Sequence, residues 1–280
     1  MPSAVIDGIA TRYEVVGEGP ALLMYAPGGF DATIEKWSTQ GVYNRIRLLD
    51  HLPKKYRCIV FDRRECGRSG GRVERITWRH YVRQGKGLLE HLGIERAHLM
   101  GACMGVCPVL AFAVEHPAAV QSMVLYWPVG GARYRIRGHQ RFADHLLFAA
   151  EHGLRGVVEH VMKEGKAFNA DAKGGPWASV IRRDRAFAES FIHSQDYEAI
   201  VDGMCKALFD RDTAPGAEPE ALLKLEIPAL IIPGRDESHA TSAARYLEEC
   251  LPRAEYWDAA PDAQTGETAP RRILEFLAPR

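Results

Sequence analysis

Residues 98–117 read HLMGACMGVCPVLAFAVEHP, and this stretch decides the fold. A short apolar run ends in a turn flanked by glycines, and an apolar segment that Pro117 stops follows directly. This order is typical of a buried strand that turns sharply into a helix. Within the turn, Gly101 to Gly105 has the form Gly-x-nucleophile-x-Gly with Cys103 at its centre, a form that carries meaning only in this strand-turn-helix context.

Further strand-like apolar runs lie on both sides of this turn, at residues 21–27, 56–62, 122–131, 228–237 and 254–258. Helical periodicity separates them, over Ile34 to Leu52, residues 80–93, Thr241 to Cys250 and Thr268 to Leu277. The opening residues favour a hairpin. Alternation of continuous apolar strands with helices predicts an α/β fold with a mostly parallel central sheet and helices on both faces.

About 85 residues after the run at 122–131 are polar, rich in Arg and His, and helical in period without a core strand. We therefore predict a helical cap or lid over residues 131–215, inserted in a core made of 1–130 and 216–280. This cap, with Trp177, Phe187 and Phe191, is expected to supply the lid and much of the acyl pocket, although aromatic residues at this helical spacing are more often core than ligand contacts.

Composition favours a small-molecule ligand. The 36 basic and 36 acidic residues cancel, so no net charge favours nucleic acid or an anionic membrane. The N-terminal residues lack a secretory pattern, and no stretch reaches the roughly 18 apolar residues of a membrane span. We expect a cytoplasmic protein with a small-molecule substrate and neither nucleic acid nor membrane as partner; a homodimer is left open.

Several motifs together resemble the α/β-hydrolase family over most of the chain apart from the cap. They are APGGF at 26–30, FDRRECGRSGG at 61–71, GACMG at 101–105, PALIIPGRDE at 228–237 and the closing helix. Cysteine at the turn is similar to dienelactone-hydrolase-like members. The resemblance implies a hydrolase that cleaves an ester, lactone or similarly activated acyl substrate through a thioester on Cys103. No nucleotide motif or metal-ligand cluster accompanies Cys103, so no cofactor and no metal are expected.

The position of Cys103 at a helix N-terminus favours the thiolate, which is the nucleophilic form. The resemblance implies an oxyanion hole made by the backbone N–H groups of Met104 and Gly29, with Phe30 as the competing assignment. It also gives Asp62 and Arg63 a bracing role.

Glu65 and Cys66 depart from the family pattern in the loop at 61–71, and Glu65 is a residue that could face the pocket.

Asp236 matches the position of the family's catalytic acid, and a helix N-cap near Ser238 is the alternative interpretation. The family's catalytic histidine follows the last strand, but no histidine occurs after His239. His239, three residues after Asp236, is therefore the predicted base. Other histidines remain as alternatives, namely His80, His139, His145 and His193.

Two rival functions stay open. A protein that has lost its base could bind or sense a ligand without catalysis. A lyase or a hydrolase of carbon–carbon bonds on the same fold is the other rival, in which Cys103 or His239 would transfer a proton.

Overall fold

A mixed eight-stranded sheet forms the centre of the computed structural model, which describes residues 2–278. Its strands lie side by side in the order β1-β2-β4-β3-β5-β6-β7-β8. In chain order they are β1 (Ser3–Ile6), β2 (Ile9–Val16), β3 (Ala21–Tyr25), β4 (Arg57–Phe61), β5 (Ala97–Ala102), β6 (Val120–Tyr126), β7 (Ala229–Ile232) and β8 (Ala254–Tyr256).

Strand β2 is antiparallel to both of its neighbours, since it forms a hairpin with β1 and pairs antiparallel with β4. All pairings from β4 to β8 are parallel. The predicted mostly parallel sheet and the opening hairpin are thus confirmed. Because parallel strands all end at the same edge, the turns after β3, β5 and β7 meet there.

The α-helices are α1 (Lys36–Thr39), α2 (Gly41–Ile46), α3 (Trp78–His91), α4 (Val106–Glu115), α5 (Ala132–Glu164), α6 (Ala178–Arg183), α7 (Arg185–Phe191), α8 (Tyr197–Leu208), α9 (Pro219–Leu222), α10 (Thr241–Cys250) and α11 (Thr268–Leu277). The predicted bounds of α10 and α11 agree with the structure. No helix within residues 2–278 is both long and apolar enough to cross a membrane.

Buried side chains form one core on each face of the sheet. Leu23 and Tyr25 of β3 point into one core, and Leu22 and Met24 of the same strand point into the other. This division follows from the two-residue period of a strand. The strand runs are continuously apolar because both of their faces are covered.

The helical periodicity over Ile34 to Leu52 does not form one continuous helix. The chain instead forms the short helices α1 and α2, followed by two single 3₁₀ turns. Gly41 and Arg47 adopt positive φ angles of 45° and 48°. Each residue in this left-handed region interrupts the helical hydrogen-bond ladder, although the apolar residues still face the core.

Helices α5 to α9 occupy the chain between β6 and β7, where the insertion was predicted. Within α5, Gly153 leaves the helical conformation with φ 68° and ψ 172°, so this long element consists of two helical stretches. The division into a core and a cap at residues 131 and 215 stays a prediction.

Candidate active site

Cys103 occupies the turn between β5 and α4 with φ 55°, a strained left-handed conformation for a residue with a side chain. Neither flanking glycine could carry a side chain. A Cβ on Gly101 would collide with the Gly105 carbonyl group, and one on Gly105 would lie 2.5 Å from the Tyr25 carbonyl oxygen. The sequence places small residues here because the neighbouring strand and helix crowd the turn.

His239 and Asp236 lie in the loop between β7 and α10, and they contact each other directly. The His239 Nδ1 atom lies 2.8 Å from both carboxylate oxygens of Asp236. Asp236 Oδ1 also accepts the backbone N–H groups of Ser238 at 2.8 Å and His239 at 3.0 Å. Asp236 therefore orders a tight turn that holds the imidazole. It is not a helix N-cap, because α10 begins after Ala240.

The His239 ring is held from a second side by the chain after β6. Its centroid lies 5.3 Å from that of Trp127, and Gly130 donates its N–H to the Ser238 carbonyl oxygen at 3.1 Å. The His239 side chain is 12% exposed, whereas that of Asp236 is 51% exposed. The ring is thus buried at the site while its carboxylate partner remains half in solvent.

Cys103 and His239 shift each other's pKa toward the charged forms. Burial raises the pKa of the Cys103 thiol, but the positive charge of His239 and the nearby backbone N–H groups of Gly28 and Met104 outweigh this effect, so the net pKa lies below the ordinary value. Burial lowers the pKa of His239, but the Cys103 thiolate and the Asp236 carboxylate outweigh it and raise the pKa above the ordinary value. The hydrogen bond from His239 lowers the pKa of Asp236 to about 2.

The hydrogen bond with Asp236 shows which ring nitrogen of His239 carries a proton. A carboxylate accepts hydrogen bonds only, so Nδ1 of His239 carries a proton toward Asp236. The buried Nε2 atom has no hydrogen-bond partner within residues 2–278, and the Cys103 thiolate is the charge that raises the His239 pKa most.

Backbone N–H groups lie near the Cys103 sulfur. Those of Gly28 and Met104 lower the pKa of the thiol, and Gly29 and Phe30 border the same cavity. The structure thus places the predicted Met104 and Gly29 beside Cys103, and it adds Gly28, which the sequence analysis did not consider.

Arg63 fixes the turn that carries these donors. The guanidinium is fully buried and donates to the carbonyl oxygens of both Gly28 and Gly29. In a trans peptide the C=O and N–H groups point in opposite directions, so anchoring these carbonyls aims the N–H groups of Gly29 and Phe30 away from Arg63. Asp62 holds the neighbouring segment by accepting the N–H groups of Ile34 at 2.8 Å and Arg68 at 2.7 Å.

Glu65 does not face the cavity. Its buried carboxylate pairs with Arg64 at 3.0 Å and accepts the backbone N–H of Arg72 at 3.2 Å. Burial raises the pKa of Glu65 to about 7, with Arg64 acting against this shift. Glu65 therefore belongs to the packing of the loop at 61–71.

Gln264 lies in the segment after the last strand, where the family pattern would place the histidine. This fully buried amide accepts hydrogen bonds from the Tyr126 hydroxyl at 2.9 Å and from Trp127 Nε1 at 2.7 Å. It donates to the carbonyl oxygens of Pro233 and Ala259, each at 2.9 Å. Gln264 is therefore a structural residue that ties this segment to the turns after β6 and β7.

The alternative histidines do not border the cavity at Cys103. The Thr77 N–H and the His80 Nδ1 atom lie 3.1 Å apart at the start of α3. The Nε2 atom of His139 lies 2.9 Å from the Phe209 carbonyl oxygen, and that of the buried His145 lies 2.6 Å from the Tyr197 hydroxyl oxygen. His193 is exposed.

A cavity of about 240 Å³ opens onto Cys103. Apolar side chains form one part of its wall, namely Phe30, Met104, Val129, Tyr134 and Phe209. Polar side chains form another part, namely Gln40, Arg137, Arg141, Asn169 and Ser238. A cavity of this size suits a small molecule with an apolar portion and a polar end.

The aromatic residues expected in the acyl pocket lie elsewhere. Trp177 and Phe191 are buried against each other and against Tyr197, and Trp177 Nε1 donates to the Arg72 carbonyl oxygen at 2.7 Å. Phe187 stacks on Phe191. These side chains do not border the cavity at Cys103 and pack on one another instead, which is the core role that their helical spacing favours.

Comparison with known proteins identifies the fold. Residues 22–147 match the family model described as "alpha/beta hydrolase fold". The solved structure of MGS-M2, an α/β-hydrolase enzyme from a Medee basin deep-sea metagenome library, matches with TM-score 0.66 and 18% identity over 100% of this chain and 98% of that one. The enol-lactonase from Burkholderia xenovorans LB400 matches with TM-score 0.63 and 20% identity over 99% of both chains.

A curated relative, 2-hydroxy-6-oxo-6-phenylhexa-2,4-dienoate hydrolase from Comamonas testosteroni, is 36% identical over 190 residues, which are 66% of this chain and 64% of the relative. Two further curated relatives are matched over 32% and 40% of their length. The chain thus spans less than two thirds of these relatives.

Proposed function

From the premise that this chain has the α/β-hydrolase fold, we propose that it hydrolyses a small ester, lactone or similarly activated acyl compound. Cys103 is the nucleophile and His239 is the acid and base. Asp236 orients His239, and backbone N–H groups beside Cys103 bind the oxyanion. The observation that carries this proposal is that Cys103 and His239 border one cavity while Asp236 holds the His239 ring, an arrangement that lowers the thiol pKa and raises the imidazole pKa.

The first half of the reaction forms a thioester. The Cys103 thiolate attacks the acyl carbon, and the carbonyl oxygen becomes an oxyanion that accepts the Met104 N–H and an N–H of the turn at Gly28 to Phe30. When the tetrahedral intermediate collapses, the bond to the leaving oxygen breaks. The imidazolium of His239 gives its Nε2 proton to that oxygen, and the alcohol departs.

The second half regenerates the enzyme. Neutral His239 takes a proton from a water molecule, whose oxygen attacks the thioester carbon. Collapse of this intermediate breaks the carbon–sulfur bond, releases the carboxylic acid and restores the Cys103 thiolate beside the imidazolium. A thiolate leaves a tetrahedral intermediate more easily than an alkoxide does, so the first half requires a substrate with a good leaving group, such as an enol ester or lactone.

A p-nitrophenyl acetate experiment tests the proposal. We expect a burst of p-nitrophenol, a mass increase of one acetyl group located on Cys103, and continuing turnover. Cys103→Ser should lose the burst and most of the turnover, because the serine hydroxyl is not ionised by His239. Burst and turnover that survive unchanged in Cys103→Ser would exclude Cys103 as the nucleophile.

A second candidate is hydrolysis of an activated ketone. The curated relative at 36% identity is named for a 6-oxo dienoate, which contains a ketone and no ester. The same sulfur and imidazole would then serve cleavage of a carbon–carbon bond. Two results together would favour this candidate over the esterase. They are turnover of a 6-oxo dienoate and no acetylation of Cys103 by p-nitrophenyl acetate.

A further inference from the structure

A guanidinium without an acidic partner borders the cavity at Cys103. Arg141 lies on α5 and is half-buried. It makes no ion pair with any carboxylate of residues 2–278. Burial lowers the pKa of Arg141, which reports that the charged group has lost water without gaining a full counter-charge. A partly desolvated cation that faces a ligand cavity is suited to bind an anion there.

The nearby charges do not neutralise Arg141. Tyr134 and then Asp31 are the groups that raise its pKa. Burial raises the pKa of the Tyr134 hydroxyl, which disfavours its charged form. Both Asp31 oxygens are engaged: Lys36 Nζ lies 2.7 Å from Oδ2, and Asn169 Nδ2 donates to Oδ1 at 2.7 Å. Arg137, one helical turn earlier on α5, adds a like charge. The Arg137 guanidinium is itself paired with Glu237 at the protein surface.

We propose that Arg141 binds a carboxylate carried by the acyl substrate, so that the enzyme selects short esters or lactones with an anionic end. This inference rests on the proposed function and adds the substrate class. Arg141 would form a bidentate pair with the carboxylate, which matches its planar donor fork. Asn169, which borders the same cavity, supplies the neighbouring polar surface.

The size of the cavity limits the rest of the substrate. A volume of about 240 Å³ is below the range of roughly 300–1,000 Å³ that is typical of pockets for drug-sized ligands. The acyl chain between the reacting carbon and the carboxylate is therefore short. Phe30, Tyr134 and Phe209 would cover its apolar part.

Activity with matched esters tests this specificity. The p-nitrophenyl monoesters of succinic, glutaric and adipic acid carry a free carboxylate, and the corresponding monoamide esters are neutral and of equal size. We expect kcat/KM for at least one acid ester to exceed that of its amide by roughly 10- to 100-fold, the value of a charge-assisted hydrogen bond. Arg141→Gln should abolish this preference, and Arg141→Lys should retain part of it.

Arg155→Gln is the matched control, since Arg155 lies on α5 beyond the break at Gly153, is exposed and does not border the cavity. It removes the same charge and should retain the full preference. Equal kcat/KM for acid and amide esters at all three lengths, or an acid preference that persists in Arg141→Gln, would overturn the proposal.

Ligand binding separates this inference from the proposed function. Calorimetric titration of wild type with free succinate, glutarate and adipate should detect binding that Arg141→Gln loses and Arg155→Gln keeps. Such binding by a protein that cleaves no ester would retain the carboxylate site and reject the hydrolase. Ester turnover with no binding of any of the three dicarboxylates and no acid preference would retain the hydrolase and reject the site.

Discussion

Replacing His239 by alanine should raise the pKa of the Cys103 thiol, because the variant loses the positive charge that lowers it. Opposite charges about 4 Å apart attract by about 4 kcal/mol at an effective dielectric constant of about 20, so the thiolate should lose stabilisation of this order. The Gly28 and Met104 N–H groups remain in the variant and continue to stabilise the thiolate in part.

The assay is the pH dependence of alkylation by iodoacetamide, followed at Cys103 by mass spectrometry of the digested protein. The reaction rate follows the thiolate fraction, so its midpoint reports the thiol pKa. Comparison of midpoints is preferable to comparison of rates at one pH, because a thiolate of higher pKa is intrinsically more nucleophilic and would hide part of the effect. The Cys103→Ser variant shows how much of the measured alkylation comes from the other five cysteines.

His193→Ala is the control, because this exposed histidine lies outside the cavity. Its alkylation midpoint should match that of the wild type. A midpoint in His239→Ala that moves by less than about 0.5 unit, equivalent to about 0.7 kcal/mol, would refute the ion pair. A downward shift would refute it more strongly, since burial alone raises the thiol pKa.

Three further predictions follow from the same geometry. Asp236→Asn should lower kcat by roughly tenfold to a hundredfold, because the amide no longer fixes the His239 tautomer, while the thermal unfolding midpoint changes little. Gln264→Ala should lower the free energy of unfolding in urea by about 3 kcal/mol, because it leaves buried partners without hydrogen bonds. Burial lowers the pKa of His145 to about 4, so the unfolded chain binds a proton more readily than the folded protein does. Stability should therefore fall by about 3 kcal/mol as the pH drops from about 6.5 to about 4, and His145→Gln should lose this dependence in urea unfolding measured across that range.

The strands, α10 and α11 were predictable from sequence because their signals are local. Apolar runs bounded by turn residues mark buried strands, and each helix carries its own amphipathic face. The segment from Ile34 to Leu52 has the same helical spacing, yet the left-handed conformations at Gly41 and Arg47 divide it. Hydrophobic periodicity reports which residues face the core and does not report such breaks.

The site was predictable where its residues are close in sequence. The Gly-x-Cys-x-Gly turn and the Asp236 to His239 spacing are both short motifs, and each identified side chains that the structure brings to one cavity. Arg141 gave no signal, because it is one of many charged residues on a polar helix and only the packing of α5 over Cys103 distinguishes it. Trp177 gave an ambiguous signal, since an aromatic side chain at helical spacing occurs both in cores and in pockets.

The combination of Cys103 with His239 fits the half-exposed position of Asp236. A carboxylate that is 51% exposed is screened by water, so it supports a neighbouring imidazolium less than a buried one would. A serine nucleophile depends on that support, because its hydroxyl becomes nucleophilic only as the base removes its proton. A cysteine can lose its proton before the substrate arrives, and the resulting thiolate itself stabilises the imidazolium of His239. In the mechanism we propose, an acid and a base from one surface loop suffice for a sulfur nucleophile, and Gln264 serves the packing of the segment after the last strand.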